Sequence, residues 1–405
     1  MPGRAAVRGR QTWIILVSAL AVIVISAGIQ QTFGLYMLPI SVEQGWGREI
    51  LSLALAGQAL IIGLTTPFVA AIADKWGAPR VLGAGGLLYV VGLVLMSQSV
   101  TPVTMFLNAG LLVGIAAAAT GMPLVLSIVS RNVSAERRSV WLGTVTACGT
   151  LGQFLIVPFS QQMISAYGWP VALVAVACIV SLIVPLALAI RQTSSTSAEA
   201  PSTQKLGEAL VEARSNSGYI LLIVGFFVCG FHVRFIAVHL PAYLGGLAFT
   251  PQLAATALVV IAVCNGIGSW GFGWLGGRYR KKHLLSGLYT MRSVAILAFV
   301  VTPPSTVGVM IFAAAIGFLW LGTVPLTSGL VAQIFGTRYM ATLFGIVFLS
   351  HQIGAFLGVW LGGRVFDATG SYETIWWIAI ALGFISAAIH MAINDRPVTR
   401  LQAAR

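Results

Sequence analysis

The stretch "GFHVRFIAVHLPAYL", Gly230 to Leu244, carries one arginine and two histidines in a run otherwise apolar enough to cross a membrane. A central arginine costs a spanning helix roughly 2.5 to 3.5 kcal/mol on insertion, and such residues are kept where they meet a partner or a pathway. None of the 10 Asp and Glu residues falls deep inside a predicted span. The sequence therefore offers Arg234 water, backbone carbonyls or an anion arriving from outside. A small anionic substrate fits, because a guanidinium presents planar, paired donors to a carboxylate. Arg234 stands about sixteen residues into its helix, near the midplane at about 1.5 Å per residue. The competing use is a lock to a neighbouring helix through backbone carbonyls.

Histidine is the other titratable group in the spans. His232, His239 and His351 can each take a proton near neutral pH, which would serve proton-coupled transport, whereas exchange of one anion for another needs no proton site. Each is equally a hydrogen-bonded core residue. At about 100° per residue, His232, His239 and Tyr243 share one face and Arg234 points roughly 140° to 160° away from the histidines, unless Pro241 and Gly245 break the helix. Further substrate contacts are expected from Gln30, Gln31 and Tyr36 in the first span, Asn265 in the eighth, Trp320 in the tenth, and His351 with Gln352 in the eleventh. Any of these polar groups also serves to glue helices together. Arg292, about ten residues into the ninth span, is expected to snorkel or to make an interhelix contact.

Catalysis has no foothold. The chain has no phosphate-cradling P-loop, no HExxH zinc motif and no GxSxG elbow. Cys148, Cys178, Cys229 and Cys264 all lie in predicted helices without a CxxC pair, so they read as small packing residues with no disulfide and no metal. No catalytic residue, no cofactor and no enzyme activity are expected.

The elements that must position these side chains follow from composition. With 58% hydrophobic and 8% charged residues in 405, the chain cannot coat a soluble globule and must have lipid as its main solvent. An all-α membrane protein is predicted, with twelve transmembrane helices near 13–38, 50–73, 80–99, 104–130, 139–163, 168–190, 218–243, 252–276, 283–302, 306–332, 340–365 and 372–393. Lysines and arginines crowd the even-to-odd loops and both ends, while the opposite loops hold only Arg48 and Arg364. By the positive-inside rule both termini are cytoplasmic, in a cell's inner (plasma) membrane. The net charge of +13 is then a basic rim facing membrane lipid, and no folded basic domain is left to bind nucleic acid. A monomer is expected. The polar stretch 191–217 reads as a cytoplasmic linker ending in a short amphipathic helix, dividing the chain into an N-terminal six-helix half, 1–190, and a C-terminal half, 218–405.

The halves resemble each other at a shift of about 202 residues. "GIQQTFGLYMLP" from Gly28 aligns with "GFHVRFIAVHLP" from Gly230. In the fifth and eleventh helices Gly143 aligns with Gly345, Gly152 with Gly354 and Phe154 with Phe356. Two matches at one offset indicate parallel pseudo-repeats, an arrangement that places a substrate site near the midplane between halves.

Over nearly its whole length the chain resembles the major facilitator superfamily of transporters. "AAIADKWGAPRVL", Ala70 to Leu82, is similar to that family's loop after the second helix, with Ala70 in place of the leading glycine, and "GWLGGRYRKKHLL", Gly273 to Leu285, is its second-half echo, with Gly277 where an acidic residue often stands. The resemblance implies that Asp74, Lys75 and Arg80 belong to a cytoplasmic gating loop. "HLPAYL" and "SHQIGAFLGVWLGGRVFDATGSY" resemble bacterial monocarboxylate and oxalate–formate carriers, which implies a secondary transporter of small organic anions. Those carriers commonly hold a substrate-binding arginine in the eighth helix, and "VCNGIGSWGFGW" has none. A multidrug or other small-molecule exporter of the same fold is the alternative; such carriers usually want an intramembrane acid, which this chain lacks.

Overall fold

The structure is a computed structural model that describes residues 2–133, 135–190, 206–336 and 339–398. Every regular element among the described residues is a helix. Eleven are long and apolar enough to cross a membrane. In chain order α1 is Gln11–Gln44, α2 Arg48–Ala70, α3 Ala78–Ser97, α4 Pro102–Val129 and α5 Ala147–Ala189. A short helix, α6, follows at Leu206–Arg214. Then come α7 Ser217–Gly246, α8 Pro251–Gly276, α9 Lys281–Val301, α10 Thr306–Phe335, α11 Thr342–Thr369 and α12 Glu373–Ala392.

The count differs from the twelve expected because of α5. Its 43 residues make about 65 Å of helix, twice a bilayer core of about 30 Å. Within it Gly168 takes φ 81° and ψ 168°, a conformation that glycine reaches without a Cβ clash, and Pro170 then starts the next helical turn. The predicted spans 139–163 and 168–190 thus run together across one kink. The predicted linker falls mostly on 191–205, outside the described residues, as do the side chains of Asp74, Arg131, Arg137, Arg138 and Arg338. The amphipathic helix expected at the linker's end is α6, which buries Ala209 and Ala213 and exposes Glu208 and Arg214.

Two compact units form, one comprising 1–199 with 240–259, the other 200–239 with 260–405. In the first, the end of α7 and start of α8 join through side chains: Arg48 Nη1 donates to the Ala242 carbonyl at 3.3 Å and Gln153 Nε2 to the Leu258 carbonyl at 2.8 Å.

Small residues set the helix crossings in both units. In lipid no hydrophobic force drives helices together, so close backbone approach at glycine carries the packing. A Cβ on Gly28 would lie 2.5 Å from the Gly152 carbonyl oxygen, and one on Gly152 would strike the Val24 carbonyl. In the second unit a Cβ on Gly230 would strike the His351 carbonyl, and one on Gly354 the Phe227 carbonyl. These are the glycines that the 202-residue shift pairs.

Beyond α12 the chain lies as a strap against its own unit. Arg280 grips Asp395 with two bonds, Nη2 to Oδ1 at 2.6 Å and Nε to Oδ2 at 3.2 Å. Lys282 Nζ donates to the Ile393 carbonyl at 2.9 Å, Gln333 Nε2 to the Asp395 carbonyl at 2.8 Å, and the Val398 amide to the Ile334 carbonyl at 2.9 Å. The loop in which Gly277 stands at the expected acidic position thus receives its carboxylate from the strap. The hydrogen bond from Arg280 holds the Asp395 carboxyl below the ordinary carboxylate range.

Two outcomes follow from this packing. Gly354→Ala should lower the melting temperature of the purified protein, at an overpacking cost of about 1 to 3 kcal/mol, whereas Gly345→Ala, which meets nothing within 4 Å, should leave it unchanged; equal melting of the two variants would contradict the crossing geometry. A carboxyl depressed in the folded state stabilises above its unfolded pKa, and that contribution is lost as pH falls through the folded value. Asp395→Asn should therefore melt below wild type at pH 7, with the gap closing as the pH falls through and below the ordinary carboxylate range; a gap independent of pH would show that the charge contributes nothing.

Candidate functional site

The second unit's most irregular membrane backbone lies in α10. Pro325 has no N–H to give and its ring crowds the carbonyl four residues back, with Gly322 just before it. The span is accordingly two half-helices, Thr306–Phe318 and Thr323–Phe335, separated by 319–322. The Val324 amide turns to the Leu321 carbonyl at 3.0 Å and so abandons Trp320. A backbone group left unsatisfied in the bilayer costs several kcal/mol, and neighbouring helices supply what the break lacks. From α9, Arg292 Nη2 donates to the carbonyls of Leu319 and of Trp320, the latter at 2.8 Å. From α8, Asn265 Oδ1 accepts the Leu321 amide at 3.1 Å and the Ser269 hydroxyl at 3.0 Å. From α7, Cys229 Sγ and Thr323 Oγ1 lie 3.1 Å apart. Gly322 is required here, since a Cβ would sit 2.5 Å from the Phe272 ring.

Arg292 is fully enclosed, with 0% exposure, and its guanidinium carbon lies 5.3 Å from the Tyr289 ring centre. Of the two roles foreseen for it, the structure gives the interhelix contact.

The first unit interrupts α4 comparably. Gly121, at φ −83° and ψ 179°, separates Val113–Thr120 from Met122–Asn132, with Pro123 two residues on. Ser26 and Thr120 hydroxyls bond at 3.0 Å across 94 residues, the same separation as Cys229 and Thr323. Each unit thus ties its opening span to the break. α1 is itself interrupted by a 3-10 turn at Phe33–Tyr36, where the Tyr36 hydroxyl meets that of Ser160 at 2.6 Å. Gln30 Nε2 donates to the Tyr89 hydroxyl at 3.0 Å, and Gln31, half-buried, gives its amide to the Gly28 carbonyl.

On α7 every residue from Val228 to Leu240 is buried except Arg234, which is partly exposed. His232 and His239 share a face as predicted, and that face packs on other helices. His232 Nε2 donates to the Ala379 carbonyl of α12 at 2.7 Å. His239 Nε2 donates to the Val359 carbonyl at 2.8 Å, so its Nδ1 takes the Tyr372 hydroxyl proton at 3.0 Å. His351 Nδ1 bonds Gln352 Oε1 at 3.0 Å and its ring stacks on Phe348. Trp320 and Asn265 come together at the break; the histidine face does not join Arg234. Lys75, in the helical turn that carries α2 on to Trp76, lies over the Trp76 ring, and Arg80 in the first turn of α3 donates from Nη1 to the Trp76 carbonyl at 3.3 Å.

The sequence reading missed Ser26, Thr120, Cys229 and Thr323 as break-binding groups. The signal was present as a glycine followed closely by proline, "TGMP" and "LGTVP".

A bundle of apolar helices with interrupted spans and buried polar groups is a multi-pass membrane transporter architecture. The Major Facilitator Superfamily profile matches residues 16–359, and the chain belongs to that superfamily, a family of transporters and not of enzymes. Monocarboxylate transporter 13 of Rattus norvegicus is 27% identical over 383 residues, covering 91% of this chain and 85% of its own. The MFS-type transporter YcxA of Bacillus subtilis is 21% identical over 398 residues, covering 94% and 95%. Among solved structures, the nucleoside transporter NupG aligns with a TM-score of 0.75 at 16% identity over 95% of this chain and 99% of its own, which is a likeness of fold alone.

Proposed function

We propose that the chain is a secondary transporter of small organic anions, monocarboxylates first among them, that works by alternating access, with two six-helix repeats, twelve crossings, and both termini on the cytoplasmic side of the plasma membrane. The observation that carries the reading is Arg234. It is the one partly exposed residue in thirteen consecutive positions of α7, near the middle of the membrane, where a guanidinium is tolerated for function. Its planar fork suits a carboxylate. The similarity to proteins named monocarboxylate transporters supports the same substrate class. Gln30, Gln31, Asn265, Trp320, His351 and Gln352 are the polar and aromatic groups proposed to complete recognition, while His232 and His239, with ring nitrogens committed to Ala379, Val359 and Tyr372, are assigned to packing.

The test is uptake into liposomes carrying the purified protein, using labelled lactate, pyruvate, formate and oxalate, with uridine as a neutral comparison. At least one carboxylate should accumulate above empty liposomes and be competed by its unlabelled form. Repeating the assay with and without a pH gradient, and with anion loaded inside, separates proton coupling from exchange. Uridine uptake with no carboxylate uptake under any of these gradients would overturn the anion reading.

A further inference from the structure

We propose that Arg292 is a positioning residue for cargo recognition: it fixes the interruption of α10 so that Trp320 and the α8 residue Asn265 are presented in one arrangement, and it does this without touching cargo. The inference rests on the transport reading for its consequence and on backbone chemistry for its mechanism.

The carbonyls of Leu319 and Trp320 have lost the amides that would serve them in a continuous helix, and a single nitrogen, Arg292 Nη2, serves both. Those carbonyls end the Thr306–Phe318 half-helix, the negative end of its dipole, so a cation is the favoured donor there. On the other side of the break Asn265 holds the Leu321 amide. The backbone between Leu319 and Leu321 is thus gripped from α9 and α8 at once, and Trp320, 3% exposed, is held between the grips. In the first unit the break in α4 is a single residue, Gly121, and among the described residues a hydroxyl pair ties it. The second unit departs from the first by lengthening the break and adding a charge.

Arg292 also carries more donors than its contacts use. Its Nε and Nη1 have no hydrogen-bond partner, and no carboxylate pairs with it among the described residues. Burying such a charge is costly, which argues against simple packing. The side chain is fully enclosed, at 0% exposure, with the Tyr289 ring beside its guanidinium, so the charge acts through the backbone of α10.

The experiment compares wild type with Arg292→Lys, Arg292→Gln and Asn265→Ala. Hydrogen exchange followed by mass spectrometry reads the amides of 319–324 without any substrate. Arg292→Gln should speed their exchange by about ten- to a hundredfold, the worth of a charge-assisted hydrogen bond, with amides of α11 unchanged, and Arg292→Lys should restore part of the protection. Labelled-pyruvate uptake, or uptake of whichever carboxylate the wild type carries, should show KM raised in Arg292→Gln with a smaller change in Vmax. Should Arg292→Gln fail to fold, the Lys and Asn265→Ala variants carry the test, each expected to shift exchange at 319–324 and KM in the same direction. Wild-type exchange at 319–324 in the folded variants would overturn the positioning role. Faster exchange with unchanged KM would overturn its link to cargo. A wild type that carries no carboxylate would sink the transport reading and leave the exchange result to stand or fall by itself.

Discussion

A peptide group inside a bilayer has no water to bond, so every interruption of a helix must be completed by another part of the protein. That constraint organises both units. Where Gly121 and Pro123 break α4, a serine–threonine pair closes on the break; where Gly322 and Pro325 break α10, an arginine, an asparagine and a cysteine–threonine pair do. Among the described residues, many of the polar side chains in the spans are committed to backbone groups of other helices.

The two arginines deep in the second unit show the contrast. Arg292 is enclosed and turns one nitrogen, Nη2, to two α10 carbonyls. Arg234 is partly exposed in a stretch that is otherwise buried. One charge is spent on the backbone and the other keeps partial exposure, which is why cargo recognition is proposed for Arg234 and support for Arg292. Glycine serves the same economy of space, since Gly28, Gly152, Gly230 and Gly354 let helices approach until backbone touches backbone.

Much of this was legible in the residues. Apolar run lengths located the spans, because bilayer thickness fixes them, and the paired glycines were visible in the 202-residue alignment. The break expected between 139–163 and 168–190 falls at Gly168, but the continuation of helix on both sides of it was not legible, because it depends on Pro170 restarting the helix directly after the turn. The histidine face was predicted correctly as a face, but the sequence could not say what it met; carbonyls of Ala379 and Val359 lie more than a hundred residues away. Arg292 was read as a contact without a target for the same reason, since its acceptors become available only when α10 breaks. The strap's Asp395 escaped notice because an acid outside the spans carries no periodic signal.

The central assignment is that Arg234 is the counter-charge for an anionic cargo, and equilibrium binding together with melting temperature on the same purified samples of wild type, Arg234→Lys and Arg234→Ala tests it most directly, using the carboxylate that the wild type transports. Loss of a charge-assisted contact should weaken binding by about ten- to a hundredfold in Arg234→Lys, where the fork is lost and the charge kept, and abolish it in Arg234→Ala, while both variants melt close to wild type without ligand. Near-wild-type affinity in Arg234→Ala, with a lowered melting temperature, would contradict the assignment and show the arginine to be a lock between helices.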